Sequence, residues 1–78
     1  MPESVDEYHF RLSISREQAL RYYRGAALAV QAVSDDGRRV RFPAGILRPF
    51  ITALGVHGRF RLRVDAHNRV VDLQRLGD

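Results

Sequence analysis

Cysteine is absent from the 78 residues, which excludes a disulfide framework and a thiolate metal site. A small secreted domain ordinarily needs such staples, so the expectation is a cytoplasmic protein. Long hydrophobic runs are missing as well. No apolar stretch approaches the roughly 20 residues of a membrane-spanning helix. The lead Met1-Pro2-Glu3-Ser4-Val5-Asp6-Glu7 lacks the charged-then-apolar order of a signal peptide. No membrane partner is expected. The chain shows no repeat, linker or low-complexity tract, no phosphate-binding glycine-rich loop and no metal-ligand spacing, so no cofactor is implied. Its length bounds it to one domain, with residues 1–7 read as a flexible acidic lead and 8–78 as a single α+β unit. A chain this short buries only roughly 60–65% of its unfolded surface, so the core is thin and self-association would help it.

Lysine is the other absence: all thirteen basic residues are arginine. The net charge is +4, but it is unevenly spread. Glu3, Asp6, Glu7 and Asp78 lie at the ends, which leaves thirteen arginines against five carboxylates, a surplus of eight, between Tyr8 and Gly77. Such a surface attracts polyanions, because phosphate contacts release condensed counterions. The plainer reading is compositional: arginine fills solvent positions that lysine fills elsewhere.

Tyr8-His9-Phe10-Arg11-Leu12-Ser13-Ile14 alternates strictly and predicts a half-buried strand with Tyr8, Phe10, Leu12 and Ile14 on one face. Ser15-Arg16-Glu17-Gln18 fits a capping box that opens a two-turn helix, in which one of Tyr22 and Tyr23 packs inward. Gly25 is placed to stop the helix in the left-handed conformation. Ala26–Val33 is apolar on both faces and predicts a strand covered on both sides. Ser34-Asp35-Asp36-Gly37 carries an Asp-Gly hairpin signal, returning through Arg38–Phe42 with Val40 and Phe42 inward and Pro43 as the stop. Across Ala44–Leu54, Pro49 predicts a short helical or 3₁₀ turn on either side of itself. Gly55 and Gly58 bracket a tight turn. Arg59–Asp65 and Arg69–Leu76 then form a second hairpin, with Phe60, Leu62 and Val64 inward. The resulting fold class is α+β, mostly β: a small five-stranded antiparallel barrel-like or bent sheet, with one short N-terminal helix and a short helical turn before the last hairpin.

Four segments carry a resemblance. Leu20-Arg21-Tyr22-Tyr23-Arg24-Gly25, Gly37-Arg38-Arg39-Val40-Arg41-Phe42-Pro43-Ala44, Leu47-Arg48-Pro49-Phe50 and Gly55-Val56-His57-Gly58-Arg59-Phe60-Arg61-Leu62 resemble a short proteobacterial family catalogued as domain of unknown function 2835. The likeness runs from Tyr8 to Leu76 and implies a stand-alone bacterial protein. It carries no assigned chemistry and therefore no functional residue.

Candidate chemistry is thin. His9, His57 and His67 show no H-x-H or H-x₃-H spacing; His57, in its glycine-bracketed segment, is the one to watch. No serine sits in a nucleophile elbow, and Ser15 is accounted for as a cap. Asp35-Asp36 and Asp65 are turn residues. Gly55-Val56-His57-Gly58 matches the G-x-x-G of RNA-clamping loops, but those lie between helices whereas Arg59 begins a strand. No positioned acid, base or metal can be assembled, so a non-enzymatic binding module is expected. Arg59, Arg61 and Arg63 share one side of a strand, and Arg39 and Arg41 one side of another. If the two strands lie on one sheet, five guanidiniums, extended by Arg11, would offer a weak, sequence-tolerant nucleic-acid surface. The inward direction of Phe10, Phe42 and Phe60 works against base stacking there. The alternative is a protein-interaction module or homodimer that uses Ile46, Leu47, Phe50, Ile51 and Leu54, a large apolar set for so thin a core. Plain core packing of the same residues is the reading opposed to it.

Overall fold

The computed structural model describes residues 5–23 and 29–77. Residues 1–4 of the expected 1–7 lead, the Gly25 stop, the opening of the strand from Ala26 and the side chains of Tyr22 and Tyr23 lie outside the described residues. The elements, in chain order, are β1 (Asp6–Ile14), α1 (Arg16–Tyr23), β2 (Ala29–Val33), β3 (Arg39–Pro43), a 3₁₀ helix (Ala44–Phe50), β4 (Val56–Val64) and β5 (Val70–Gly77).

Strand β1 alternates as its sequence requires, with Phe10, Leu12 and Ile14 buried and His9, Arg11 and Ser13 exposed. It starts at Asp6, two residues before the apolar alternation, because antiparallel pairing with β4 continues through Glu7↔Arg63 to Asp6↔Val64. A capping hydrogen bond from the Gln18 amide to Ser15 Oγ (3.2 Å) opens α1. Ala19 is fully buried beneath it.

The five strands form two antiparallel sheets, β1-β4-β5 and β2-β3. The expected barrel-like closure is not what forms: the mostly β architecture is an open pair of sheets. They meet face to face through aromatic rings. Phe10 of β1 stacks on Phe42 of β3 (centroids 5.8 Å apart) and on Phe60 of β4 (6.5 Å). Phe50 of the 3₁₀ helix meets Phe60 edge-on at 5.2 Å. All four phenylalanines of the chain thus join one cluster around which Leu12, Leu47, Val56 and Leu62 pack. One backbone bond ties the sheets at their rim, from the Asp35 amide at the tip of the β2–β3 hairpin to the His9 carbonyl on the outer edge of β1 (2.7 Å).

Three local expectations are corrected. Strand β2 is covered on one side only: Val30 and Ala32 are buried, whereas Gln31 and Val33 are exposed. Its apolar outer residues sit on the solvent face of a two-stranded sheet that is too small to be sandwiched. A single 3₁₀ helix runs through Pro49 instead of breaking there; the proline ring suits a helical φ, and its missing N–H removes one bond from a short i→i+3 ladder. The tight turn is Thr52–Gly55, closed by reciprocal backbone bonds of 2.8 and 3.0 Å, and Gly58 lies within β4, not at a turn.

Both glycines are required where they stand. At Gly55, φ is +101° and a Cβ would fall 2.1 Å from the Ile14 carbonyl oxygen. At Gly58, φ is +134° and a Cβ would fall 2.5 Å from the Gly77 carbonyl. Gly45, by contrast, has no atom of the described residues within 4 Å of the place a Cβ would take. Gly55→Ala is therefore expected to cost at least about 3 kcal/mol, most of the stability of so small a chain. Gly45→Ala is expected to change it by less than about 1 kcal/mol. Urea denaturation of the two variants checks both.

Candidate binding site

The arginines expected to form one surface are divided between the two sheets. Alternation along β4 sets Arg59, Arg61 and Arg63 on the outer face of the three-stranded sheet, where register places Arg11, His9 and Glu7 of β1 opposite them. Arg39 and Arg41 stand on the outer face of β3, in the other sheet. The five guanidiniums do not converge.

The two groups also differ in what holds them. Arg63 makes a bidentate pair with Asp72 on β5, its Nε donating to Oδ1 at 2.8 Å and its Nη2 to Oδ2. That hydrogen-bonded pair holds the Asp72 carboxyl below its ordinary range and raises Arg63. Arg59 donates to Asp35, reaching over from the hairpin tip, and Arg61 donates to Gln74 Oε1. The Arg61 Nε is buried with no hydrogen-bond partner among the described residues. Because Glu7, Asp35 and Asp72 stand among Arg11, Arg59, Arg61 and Arg63, this face is close to neutral, as directly opposed like charges on a sheet require.

Arg39 and Arg41 are exposed, and among the described residues their guanidiniums make no hydrogen bond or ion pair. Their backbone is equally open. The Ser34 amide donates to the Arg38 carbonyl at 2.8 Å, which makes that pair a hydrogen-bonded one. The antiparallel ladder alternates from there, so Val33↔Arg39 and Gln31↔Arg41 are the non-hydrogen-bonded pairs. The N–H and C=O groups of Arg39 and Arg41 consequently point away from β2. Pro43, which has no N–H, falls in the same phase. Among the described residues β3 pairs with no other strand.

A cleft of about 200 Å³ runs along this edge. Arg39, Val40 and Arg41 all line it; three consecutive strand residues can do so only if the cleft follows the strand's edge, since a face admits every second one. Val64 and Val70, at the closed end of the β4–β5 hairpin, form the opposite wall together with Asn68 and Tyr8. Asn68 sits at φ +61° in a turn held by Asp65, whose carboxylate accepts the Arg69 and His67 amides at 2.9 and 2.8 Å. Those backbone bonds, the Arg69 amide's foremost, keep the Asp65 carboxyl low. Tyr8 is fixed by the Arg38 guanidinium, 4.3 Å from its ring centre. Arg38 itself is pinned by Asp36 at 2.7 Å, and the Asp36 carboxyl is lowered first by the Ser34 hydroxyl and also by Arg38.

The apolar segment belongs mainly to the core. Leu47 is 1% exposed, Phe50 packs on Phe60, and Ile46 and Ile51 lie against the same cluster. Leu54, 77% exposed, is the one large side chain of the five that faces solvent. Among the histidines, His57 is a β4 residue opposite Ser13 of β1. Its Nε2 lies 2.6 Å from the Leu54 carbonyl, which can only accept, so Nε2 donates there, and Nδ1 lies 3.3 Å from Ser13 Oγ. Sequence reasoning missed this pair, because a contact across 44 residues depends on the β1–β4 register. Among the described residues no three His, Cys, Asp or Glu side chains cluster as a metal site, and no helix is long and apolar enough to cross a membrane.

Comparison with known proteins gives one match. The family model described as protein of unknown function (DUF2835) matches residues 6–76, nearly the whole chain, in agreement with the resemblance carried by the F-P-A and L-R-P-F segments. No curated protein and no solved structure matches.

The lowered carboxyls of Asp36, Asp65 and Asp72 give the pH dependence a sign. A carboxylate whose folded value lies below its unfolded one stabilises the fold above the unfolded value, about 3.9, and loses that contribution as pH falls through the folded value. The urea midpoint is expected to decline as the solution is acidified below about pH 4. In Asp72→Asn the decline should be shallower, from a lower starting midpoint at neutral pH.

Proposed function

We propose, for a chain that belongs to the protein family of unknown function DUF2835, a non-enzymatic binding module that seats an extended anionic chain along the open edge of β3. One observation carries this reading: Arg39 and Arg41 are an outward pair whose guanidiniums are unengaged among the described residues while their backbone groups face the cleft. Charge that is not already neutralised within the fold is available to a ligand; of the β4 arginines, Arg59 and Arg63 are ion-paired with Asp35 and Asp72, and Arg61 is engaged by a hydrogen bond to Gln74. The nucleic-acid expectation thereby narrows from five arginines to two, and single-stranded RNA remains one form of the anionic chain. A homodimer through residues 46–54 has less support, because four of its five large side chains pack inward.

Anisotropy titrations with labelled single-stranded RNA and with poly-glutamate at low salt test the reading. Binding of at least one probe is expected, weakening with salt by a shallow slope suited to about two charge contacts. Arg39→Glu/Arg41→Glu should lose at least tenfold in affinity with an unchanged urea midpoint. Arg63→Glu should instead lower that midpoint and leave affinity within about twofold, since it breaks the pair with Asp72.

A further inference from the structure

The shape of the edge says more about its occupant than its charge does. In antiparallel addition, each edge residue with free N–H and C=O groups exchanges both bonds with the residue directly opposite, and directly opposed side chains stand on the same face. Arg39 and Arg41 have backbone groups in that phase and side chains on the outer face. A strand paired with them would place two of its own side chains, separated by one residue, beside two unengaged guanidiniums. Its intervening side chain would point the other way, into the cleft between Val40, Val64 and Val70, where an aliphatic group fits the lining and a charge would be desolvated.

Resting on the binding reading above, we infer that the partner is a protein segment of the pattern acidic–aliphatic–acidic, which docks in extended form as an additional strand on β3. Main-chain pairing supplies the register and the two arginines read the carboxylates. A nucleic-acid strand could meet the guanidiniums, but it has no repeating donor–acceptor backbone to match the edge. The segment must come from a different protein: no two acidic residues among these 78 are separated by one residue, so a second copy does not supply the pattern. The β5 edge offers a poorer template, because bulges interrupt its pairing between Arg59 and Phe60 and between Arg63 and Val64.

The probe is a fluorescein-labelled, end-blocked peptide with Glu-Val-Glu flanked by serines, titrated into the full chain and followed by anisotropy. Parallel titrations use the same peptide N-methylated on both glutamates, a Val-Glu-Val permutation and single-stranded RNA. The Glu-Val-Glu peptide is expected to bind, with at least a tenfold loss on N-methylation and on permutation. Saturation should also slow exchange of the Arg39 and Arg41 amides, read by NMR. An Arg-Val-Arg peptide is expected to recover binding to Arg39→Glu/Arg41→Glu. Equal affinity of the N-methylated and parent peptides would overturn strand addition while leaving an anion-binding edge. RNA binding that depends on Arg39 and Arg41, with no peptide binding, would overturn the partner class alone. Failure of every probe, poly-glutamate included, to bind in a way that depends on these arginines would overturn the edge as a binding site altogether.

Discussion

The Phe10 ring lies against Phe42 of the two-stranded sheet and, in its own sheet, against Phe60, which in turn receives the edge of Phe50 from the 3₁₀ helix. Through these contacts the four rings join β1, β3, β4 and the 3₁₀ helix in one core. Offset aromatic contacts at these separations contribute roughly 0.5–1.5 kcal/mol each beyond the burial of their area. More of the cluster's effect lies in orientation: stacked rings oppose the two sheets face to face, and every outward residue on either sheet then takes its direction from that arrangement. Truncation of a buried phenylalanine costs about 3–5 kcal/mol in a well-packed core, which a 78-residue chain cannot spare.

Incomplete closure follows from the same economy of residues. Among the described residues, five strands of five to nine residues leave β3 unpaired on the side away from β2, and the aliphatic side chains of Val64 and Val70 form the opposite wall of the resulting cleft. An edge of this kind is an invitation to foreign strands, and proteins commonly blunt such edges with charge, proline or bulges. Arg39, Arg41 and Pro43 sit on β3 in that capacity whatever else they do, so the residues that discourage indiscriminate pairing are the ones that would select an acidic partner.

The electrostatic pattern turned on register. In sequence, Arg59, Arg61 and Arg63 look like the most basic stretch of the chain, and the carboxylates that answer them are remote: Asp35 is 24 residues away and Asp72 nine. Pairing of β4 with both β1 and β5 brings Glu7, Asp72 and Gln74 across from the stripe, and docking of the hairpin tip on β1 adds Asp35. Among the described residues Arg39 and Arg41 gain no such neighbours, because Gln31 and Val33 stand opposite them. The weaker-looking pair is thus the available one.

What the sequence determined by itself was local: the Ser15 cap, the Asp-Gly hairpin, the alternation of β1, β3 and β4, and the inward direction of Phe10, Phe42 and Phe60. These features rest on interactions within a few residues or on the period-two geometry of a strand, which any reader of the chain can apply. It also carried kinship, through segments spread along most of its length. The tertiary structure decided which sheet each arginine faces, which carboxylate neutralises it, that Gly58 belongs to β4, that the apolar segment from Ile46 is core, and that β3 borders an open cleft. Each of those depends on register or on the packing of one sheet against another. A shift of one residue in pairing would have reversed the outcome without altering any local signal, because neighbouring strand residues point to opposite faces.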